Sequence, residues 1–501
     1  MSRSPWIFLG CTAFVLASFS ARAEGEGSQI VSETGVIRSA LAHNPGLAAA
    51  RTEHRRAALL EEGEEHRYGF VLGLDGQADR TKTPSLSVSG VTAPESTTYK
   101  LGAQLSRHFI WGTDLTLRLE GQSQRMQSTF VNTSANPPQL STFTFGPSYG
   151  ALAKLSLKQP LLRGAGRDVF EAELVQARAS RAKAASASEQ TASELMRDVL
   201  KGYWELFYTS RAVEIRQRSL GRGRAELADA AARIRTGSAA PAEALTIETD
   251  VAKREEDVTG ALREERRSSN ELARLVGDAS LSARRADVTR APPAPLPPPP
   301  DARERALAVS YELAGQRAEV NLAEVRARTA ADELRPTLDL DAYVQAQGLG
   351  NRDIPPALQQ VYGLEAWSAH VGLTFEAPLD GGRRRAEKTR AELAISAAQQ
   401  KLEETKQRIV KELENAIADS ESAQRRLELA GATLAIAEQQ LTAKEQLFRT
   451  GGATALELVK AEDDVRDAEL RRTRAHVDWA QADVTIAHLT GRLLGRADSA
   501  N

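Results

Sequence analysis

Arg449-Thr450-Gly451-Gly452-Ala453-Thr454-Ala455-Leu456-Glu457 interrupts two long runs of helical periodicity. A twin, Arg235-Thr236-Gly237-Ser238-Ala239-Ala240-Pro241-Ala242-Glu243, lies earlier in the chain. The spacing between the twins also carries Glu248 onto Glu462, Asp250 onto Asp464, Val251 onto Val465, Ala273 onto Ala487, Leu275 onto Leu489 and Gly277 onto Gly491. Identity held in one register marks an internal duplication. Each twin predicts the tip of a helical hairpin. Gly supplies the positive φ that ends one helix, and small residues or Pro start the next.

The chain has 501 residues, a net charge of −2 and only 5% aromatic residues. Nothing in that charge points to a nucleic-acid partner. Long stretches rich in Ala, Glu, Arg and Leu with helical periodicity predict long helices or coiled coils. The first residues read as a secretory signal over 1–23: Arg3, an apolar run from Trp6 to Phe19, and Ala21-Arg22-Ala23 as a small-x-small cleavage site. Cys11, the single cysteine, lies inside it. A lipidation motif around Cys11 fits poorly, since Phe8 stands where Leu is usual. No segment reaches about 18 consecutive apolar residues, so a membrane role requires β-strands.

Two repeats are expected, 24–290 and 301–491, joined by the Pro-rich linker 291–300 and followed by a tail, 492–501. The first predicts a helix over 35–67, where Ala40, Leu41, Leu47, Ala50, Ala57 and Leu60 recur at helical spacing. The period then changes to two over 69–158. Tyr99, Leu101, Ala103 and Leu105 alternate with polar or small residues, as do Leu115, Leu117 and Leu119, with Ser/Thr/Pro/Gly-rich loops expected at 83–96 and 128–148. A long helix (168–235), the tip (236–241) and a returning helix (242–276) follow. About 66 residues at 1.5 Å rise would span about 100 Å. A helix of that length needs a neighbour to bury its stripe, which Leu174, Ala177, Leu195, Val199, Leu206, Val213 and Leu220 would supply.

The second repeat has the same order. Ala40-Leu41-Ala42 matches Ala306-Leu307-Ala308, and Leu72, Leu74 and Asp75 match Leu338, Leu340 and Asp341. Strands are expected within 336–376, a long helix over 384–448, the tip at 449–454 and a last helix over 455–490. Gln159-Pro160-Leu161 with Gly164 and Ala377-Pro378-Leu379 with Gly382 mark sharp strand-to-helix turns. The extra alternating hairpin at 98–127, turning near Trp111-Gly112-Thr113-Asp114, has no counterpart in the second repeat. It either extends a barrel wall or decorates it. Phe109, Trp111, Phe130, Phe143, Phe145 and Tyr149 are candidates for an interfacial aromatic girdle.

Apolar and polar alternation is the pattern of a transmembrane barrel with one face to lipid and one to the lumen. A half-buried soluble sheet gives the same pattern. Small sheets flanked by helices of about 100 Å do not make a compact globule, and open edges are not allowed in lipid. The expected fold is therefore an α+β membrane protein, with long helical hairpins continuous with a β-barrel that several chains must share.

The doubled plan resembles the TolC-type outer-membrane efflux protein family across nearly all of the mature chain. The residues that carry the resemblance are Ala40-Leu41 with Asn44-Pro45 and Leu47, Gln159-Pro160-Leu161-Leu162-Arg163-Gly164, Ala377-Pro378-Leu379 with Gly381-Gly382, and the two Thr-Gly tips. The resemblance implies a homotrimer in the outer membrane, with a shared barrel running into a helical tunnel across the periplasm. It implies docking, through tips that include Thr236, Gly237, Thr450 and Gly451, onto a periplasmic adaptor (membrane fusion) protein and an inner-membrane pump of RND or ABC type. It also implies a periplasmic aperture closed by the tips, with Phe448, Ala453, Glu457 and Lys460 at the matching positions. An arginine and one acid of the family's best-known network are absent here. Three copies of Glu457 would attract cations at the axis, and Lys460, on the same helical face, would offset them. A plain helix-start role for Glu457 explains its place equally.

No catalytic, cofactor or metal constellation is legible. The seven histidines lack metal spacing. Gly164-Ala165-Gly166 lacks the third glycine of a dinucleotide fingerprint, Val169 standing there. The reading is a passive, trimeric exit duct of a tripartite efflux or export system, not an enzyme and without a cofactor. The alternatives are the outer-membrane component of type I protein secretion and, less favoured, a structural periplasmic coiled-coil scaffold.

Overall fold

A computed structural model describes residues 30–83, 85–87, 90–92, 95–132, 139–236, 241–294 and 297–493. The expected signal segment with Cys11, the tip residue Gly237 and the tail from 494 lie outside the described residues. The chain forms two compact units, which do not follow the two repeats. One combines residues up to Arg38 with Lys201–Pro293 and Arg426–Val477; the other combines Ser39–Leu200, Ala294–Arg425 and residues from Asp478 on. Each unit thus draws on both repeats, because the long helices contribute segments to both.

In chain order the first repeat begins with β1 (Ile30–Val31), α1 (Glu33–His43) and α2 (Pro45–His66). The single helix expected over 35–67 is two helices. Asn44 has extended backbone angles and its Oδ1 accepts from the Leu47 amide at 2.9 Å, while Pro45 begins α2. Proline lacks an N–H where the first helical turn needs none. Next come β2 (Phe70–Lys82), the short β3 (Ser85–Ser87) and β4 (Gly90–Thr92), β5 (Glu95–His108), β6 (Asp114–Asn132) and β7 (Gln139–Pro160). The helices α3 (Arg167–Phe170), α4 (Ala172–Arg235) and α5 (Pro241–Val276) follow, then β8 (Arg285–Ala286), which pairs in parallel with β1.

The second repeat holds α6 (Ala302–Val309), α7 (Tyr311–Asp332), β9 (Thr337–Asn351), α8 (Pro355–Tyr362), β10 (Trp367–Glu376), α9 (Gly382–Arg449) and α10 (Ala455–Leu489). Its first helix is broken in the same way as in the first repeat. Ser310 caps α7 by accepting from the Leu313 amide at 3.3 Å. Leu47 and Leu313, each behind its cap, are both fully buried.

Strands of the two repeats join in one antiparallel sheet with the order β10-β9-β7-β6-β5-β2. Two small sheets, one per repeat, are therefore not formed. The join is the β7–β9 ladder, from Ser148↔Asn351 to Pro160↔Asp339. The loop expected over 128–148 is also largely strand. After a register shift between Gln124 and Met126, β6 and β7 stay paired out to Asn132↔Gln139. Ser and Thr set that expectation, yet Thr, Phe and Val within the stretch fit a pleated strand well. The helix α8 between β9 and β10 is new to the sequence reading.

The unit holding the sheet has a helical core of Ala302, Ala306, Leu313, Ile409, Leu413, Ala416 and Ile486, drawn from α6, α7, α9 and α10. In the other unit Leu434, Ala437 and Leu441 of α9 meet Leu458, Ala461, Val465 and Ala468 of α10 at spacings of three and four. Beside them Leu220 and Ala230 of α4 meet Ile247 and Val251 of α5. Each fully buried Leu or Val contributes about 1.5–3 kcal/mol, so α4, with 64 residues, and α9, with 68, are held by stripes rather than by propensity. All seven stripe residues expected in α4, from Leu174 to Leu220, are buried.

Candidate functional site

The sheet divides its side chains between two faces. Register places Leu74 opposite Ala103, Ala103 opposite Leu119, Leu119 opposite Ala153, Ala153 opposite Ala346 and Ala346 opposite Trp367. Since residues two apart share a face, one face carries Leu72, Leu74, Leu101, Leu117, Leu155, Val344, Val371, Leu373 and Phe375. These side chains are exposed: Leu74 78%, Leu101 74%, Val371 74% and Leu373 64%. A soluble monomer rarely leaves so broad an apolar patch to water. Where α8 crosses this face, Ile354, Leu358, Val361 and Tyr362 help enclose an apolar cavity of about 1320 Å³ with Leu101, Leu119 and Val344. Gln360 of α8 bonds both backbone groups of Leu349, donating to its carbonyl at 3.1 Å and accepting from its amide at 3.0 Å.

The opposite face is polar and laced across strands. Arg118 of β6 meets Asp75 of β2 and Glu120 at 3.0 Å each. Lys158 of β7 pairs with Asp339 of β9 at 3.3 Å. Lys154 lies 4.0 Å from the Tyr343 ring centre, and that ring stacks on His370 of β10 at 5.0 Å. An apolar face backed by a charged one suits a wall between lipid and water.

Aromatics mark the rims of the sheet. Phe109 and Trp111 stack at 5.4 Å in the β5–β6 turn, and Tyr149 lies level with Ser123 and Gly350 towards the other end. Phe143 and Phe145 are exposed on the β7 extension. The Phe130 side chain lies outside the described residues.

The strand-to-helix turns gather Pro160, Gly164, Pro378 and Gly382. β7 ends at Pro160, and the next amide, Leu161, donates to the Leu338 carbonyl at 2.7 Å. Gly164 has φ +76° and its amide donates to buried Asp332 at 2.7 Å. Pro378 follows β10, and Asp380 accepts from the Gly382 amide at 3.0 Å as α9 begins.

At the second tip the chain closes one helix and opens the next within five residues. Gly451 has φ +79°, its amide donates to the Phe448 carbonyl at 3.2 Å, and the Gly452 amide donates to the Leu447 carbonyl at 2.7 Å. That pair of bonds satisfies the last carbonyls of α9, and only Gly takes the left-handed position without strain. Thr454 and Glu457 then cap α10 reciprocally. The Glu457 amide donates to Thr454 Oγ1 at 3.3 Å, and Glu457 Oε2 accepts from the Thr454 amide at 2.9 Å. Lys444 of α9 binds the other Glu457 oxygen at 3.0 Å. These bonds hold the Glu457 carboxyl down at about 2, the Thr454 amide being the largest cause and Lys444 the next.

Glu457 takes Lys444 rather than Lys460 as its ammonium partner. Phe448 packs against the α9–α10 cluster and the α4–α5 cluster at once, with the Arg233 guanidinium 4.5 Å from its ring centre. At the first tip, Thr236 Oγ1 donates to the Arg233 carbonyl at 2.9 Å, and Thr450 Oγ1 does the same to Leu447 at 3.0 Å.

One cluster near the tips went unread in the sequence. Arg254 of α5, 1% exposed, pairs with Glu462 of α10 at 2.6 Å and with Asp250, and donates to the Ser219 carbonyl of α4 at 2.8 Å. Half-buried Glu226 of α4 shares a hydrogen bond with Glu462. Burial, then the bond to Glu462 and its negative charge, push the Glu226 carboxyl up to about 8. The signal was present: Arg254 stands seven residues beyond Ile247 and three beyond Val251, inside the apolar stripe.

Residues 302–492 match the family described as outer membrane efflux protein. No curated protein sequence matches the chain. Among solved structures, the fold is similar to VceC, an outer membrane protein of Vibrio cholerae, with a TM-score of 0.64 and 17% identity over 92% of this chain and 96% of that one. A membrane protein from Pseudomonas aeruginosa aligns with a TM-score of 0.67 and 16% identity, over 92% of each chain. The CmeC outer membrane channel of Campylobacter jejuni aligns at 0.65 and 12% identity, over 93% of this chain and 89% of that one. Identity this low carries the fold alone, and the family match covers residues 302–492. Residues 302–492 are thus similar to the outer membrane efflux protein family, set in a fold shared with solved outer-membrane channels.

Proposed function

We propose that the chain is the exit duct of a tripartite efflux or export system, a homotrimer whose sheets share one transmembrane barrel and whose helices line a periplasmic tunnel. One observation supports this above the rest: an open six-stranded sheet, apolar and exposed on one face, charged on the other. The sheet is short of the eight strands that the smallest outer-membrane barrels use, so strands from further copies must complete it. A coiled-coil scaffold has no use for such a face. The conduit is passive, with energy from an inner-membrane pump of RND or ABC type, reached through a periplasmic adaptor that docks on the tips around Thr236, Gly237, Thr450 and Gly451. Use as the outlet of type I protein secretion is compatible with the same fold.

The periplasmic aperture is proposed at Phe448, Glu457 and Lys460. Glu457 stays ionised well below neutral pH, so its copies would attract cations to the axis. Single-channel recording of Glu457→Gln should show reduced cation preference; unchanged preference and unchanged block by polyvalent cations would remove Glu457 from the aperture. The architecture is tested by electron microscopy of detergent-extracted protein from outer membranes. The expected image is a three-fold tube of roughly 140 Å, the helix rise plus the membrane thickness. A monomer, or a rod without a barrel, would overturn the channel.

A further inference from the structure

From the sheet order we infer that the β5–β6 hairpin is part of the pore wall, so each copy contributes six strands and β2 of one copy pairs antiparallel with β10 of the next. This rests on the shared-barrel reading above and specifies its wall. A ring of three copies then has 18 strands, the size of the wide porins that leave an aqueous channel, rather than the 12 that four strands per copy would give.

Three observations carry it. First, the hairpin lies inside the sheet, with β5 paired to β2 over thirteen residue pairs, Phe70↔Arg107 to Lys82↔Glu95, and β6 paired to β7. Removing it would leave β2 without a neighbour in the sheet. Second, the hairpin has the same two faces as the rest. Leu101, Leu105, Leu117 and Leu119 continue the exposed apolar face, while Lys100, Gln104, Arg118 and Glu120 continue the polar one. A decoration outside the wall would have no reason to keep both. Third, an ion pair crosses β5 to bind the hairpin to β2. Arg118 of β6 reaches Asp75 of β2 at 3.0 Å, passing over Gly102. A Cβ at Gly102 would stand 2.6 Å from the Asp75 carboxylate, so the missing side chain opens the lane.

The edges then fix the closure. β2 and β10 are the two ends of the strand order, with thirteen and ten residues, long enough to cross a membrane core at a barrel tilt. In an antiparallel sheet of six strands the first and last run in opposite directions. The β2 edge of one copy therefore meets the β10 edge of another in antiparallel sense, and repetition closes a ring with no free edge.

Cysteine pairs test this on the full chain in outer membranes, with Cys11→Ser as background. Oxidation of Leu74→Cys combined in turn with Ala369→Cys, Val371→Cys and Leu373→Cys should shift at least one pair to two- and three-copy species on non-reducing gels. Leu74→Cys with Ala153→Cys should stay uncrosslinked, because β2 and β7 are three strand spacings apart, about 14 Å. A disulfide within one chain between those two positions would put β2 beside β7, expel the hairpin from the wall and overturn the inference while leaving the channel intact. Loss of every intermolecular link, together with monomers of unmodified protein in native mass spectrometry, would instead overturn the shared barrel. If the cysteine variants fail to insert, the strand count in an electron-microscopy map of the unmodified ring decides: 18 supports the six-strand wall and 12 overturns it.

Discussion

Arg254 sits where the stripe of α5 calls for an apolar side chain, and its charge is balanced by residues of α5 and α10. Removing one partner of such a buried pair strands the other without water. Arg254→Met should therefore destabilise the packing of α4, α5 and α10 by about 3–5 kcal/mol. The check is hydrogen exchange of the segments around Ser219, Arg254 and Glu462. Adding Glu462→Leu to that variant should recover part of the loss, since two apolar groups replace two charges. Glu226 makes the same cluster pH-sensitive. Its carboxyl is raised from 4.5 to about 8, so between those values the folded chain holds a proton that the unfolded chain has released. The contribution of Glu226 to stability is then fullest below about pH 4.5 and is lost as pH rises towards 8. Glu226→Gln keeps a hydrogen-bond donor without a titratable proton, and should flatten that slope in exchange rates measured from pH 5 to 8. A persistent slope would place the titration elsewhere.

Helices and strands show what the sequence could and could not say. Periodicity located the stripe of α4 and the two-residue alternation of β5, β6, β7, β9 and β10, because those patterns are local. The Gly451-Gly452 and Thr454-Glu457 bonds that close the second tip are also local, and the duplicated motif exposed them. Partners far apart in sequence were not legible. Alternation assigned Leu101 and Leu119 to a face but could not say which strand lies beside which, so the hairpin at 98–127 stayed unplaced. Arg254 needed Glu462, 208 residues away, and no period connects them. The eight residues of α8 are too few for a periodic signal between Pro355-Pro356 and Gly363. At this scale the tips make a prediction of their own. The α4–α5 pair is held by Leu220, Ala230, Ile247 and Val251, all outside 236–241. Replacing 236–241 with a Gly/Ser loop of equal length should leave the trimer inserted and abolish export, through lost adaptor docking. Full export would move the docking surface off this tip.

At the scale of the whole molecule, insertion depends on which sheet face meets lipid, and a single residue can decide it. Leu373 of β10 lies opposite Leu340 on the exposed apolar face, between Val371 and Phe375 on the same side. Thr374, its chain neighbour, points to the other face opposite Asp339. A charge facing lipid at mid-depth costs about 2–4 kcal/mol in each copy, and the cost recurs around the ring. Leu373→Arg should therefore deplete heat-modifiable oligomer from outer-membrane fractions, while Thr374→Arg, which aims the same charge at water and at the Asp339 carboxylate, should insert at the wild-type level. The pair controls for synthesis, export and strand propensity, because the two variants differ only in the face that carries the charge. Depletion by Thr374→Arg with normal insertion of Leu373→Arg would invert the wall, turning the leucines towards the lumen. Equal insertion of both would show that β10 does not meet lipid at all, and the barrel would have to close without it.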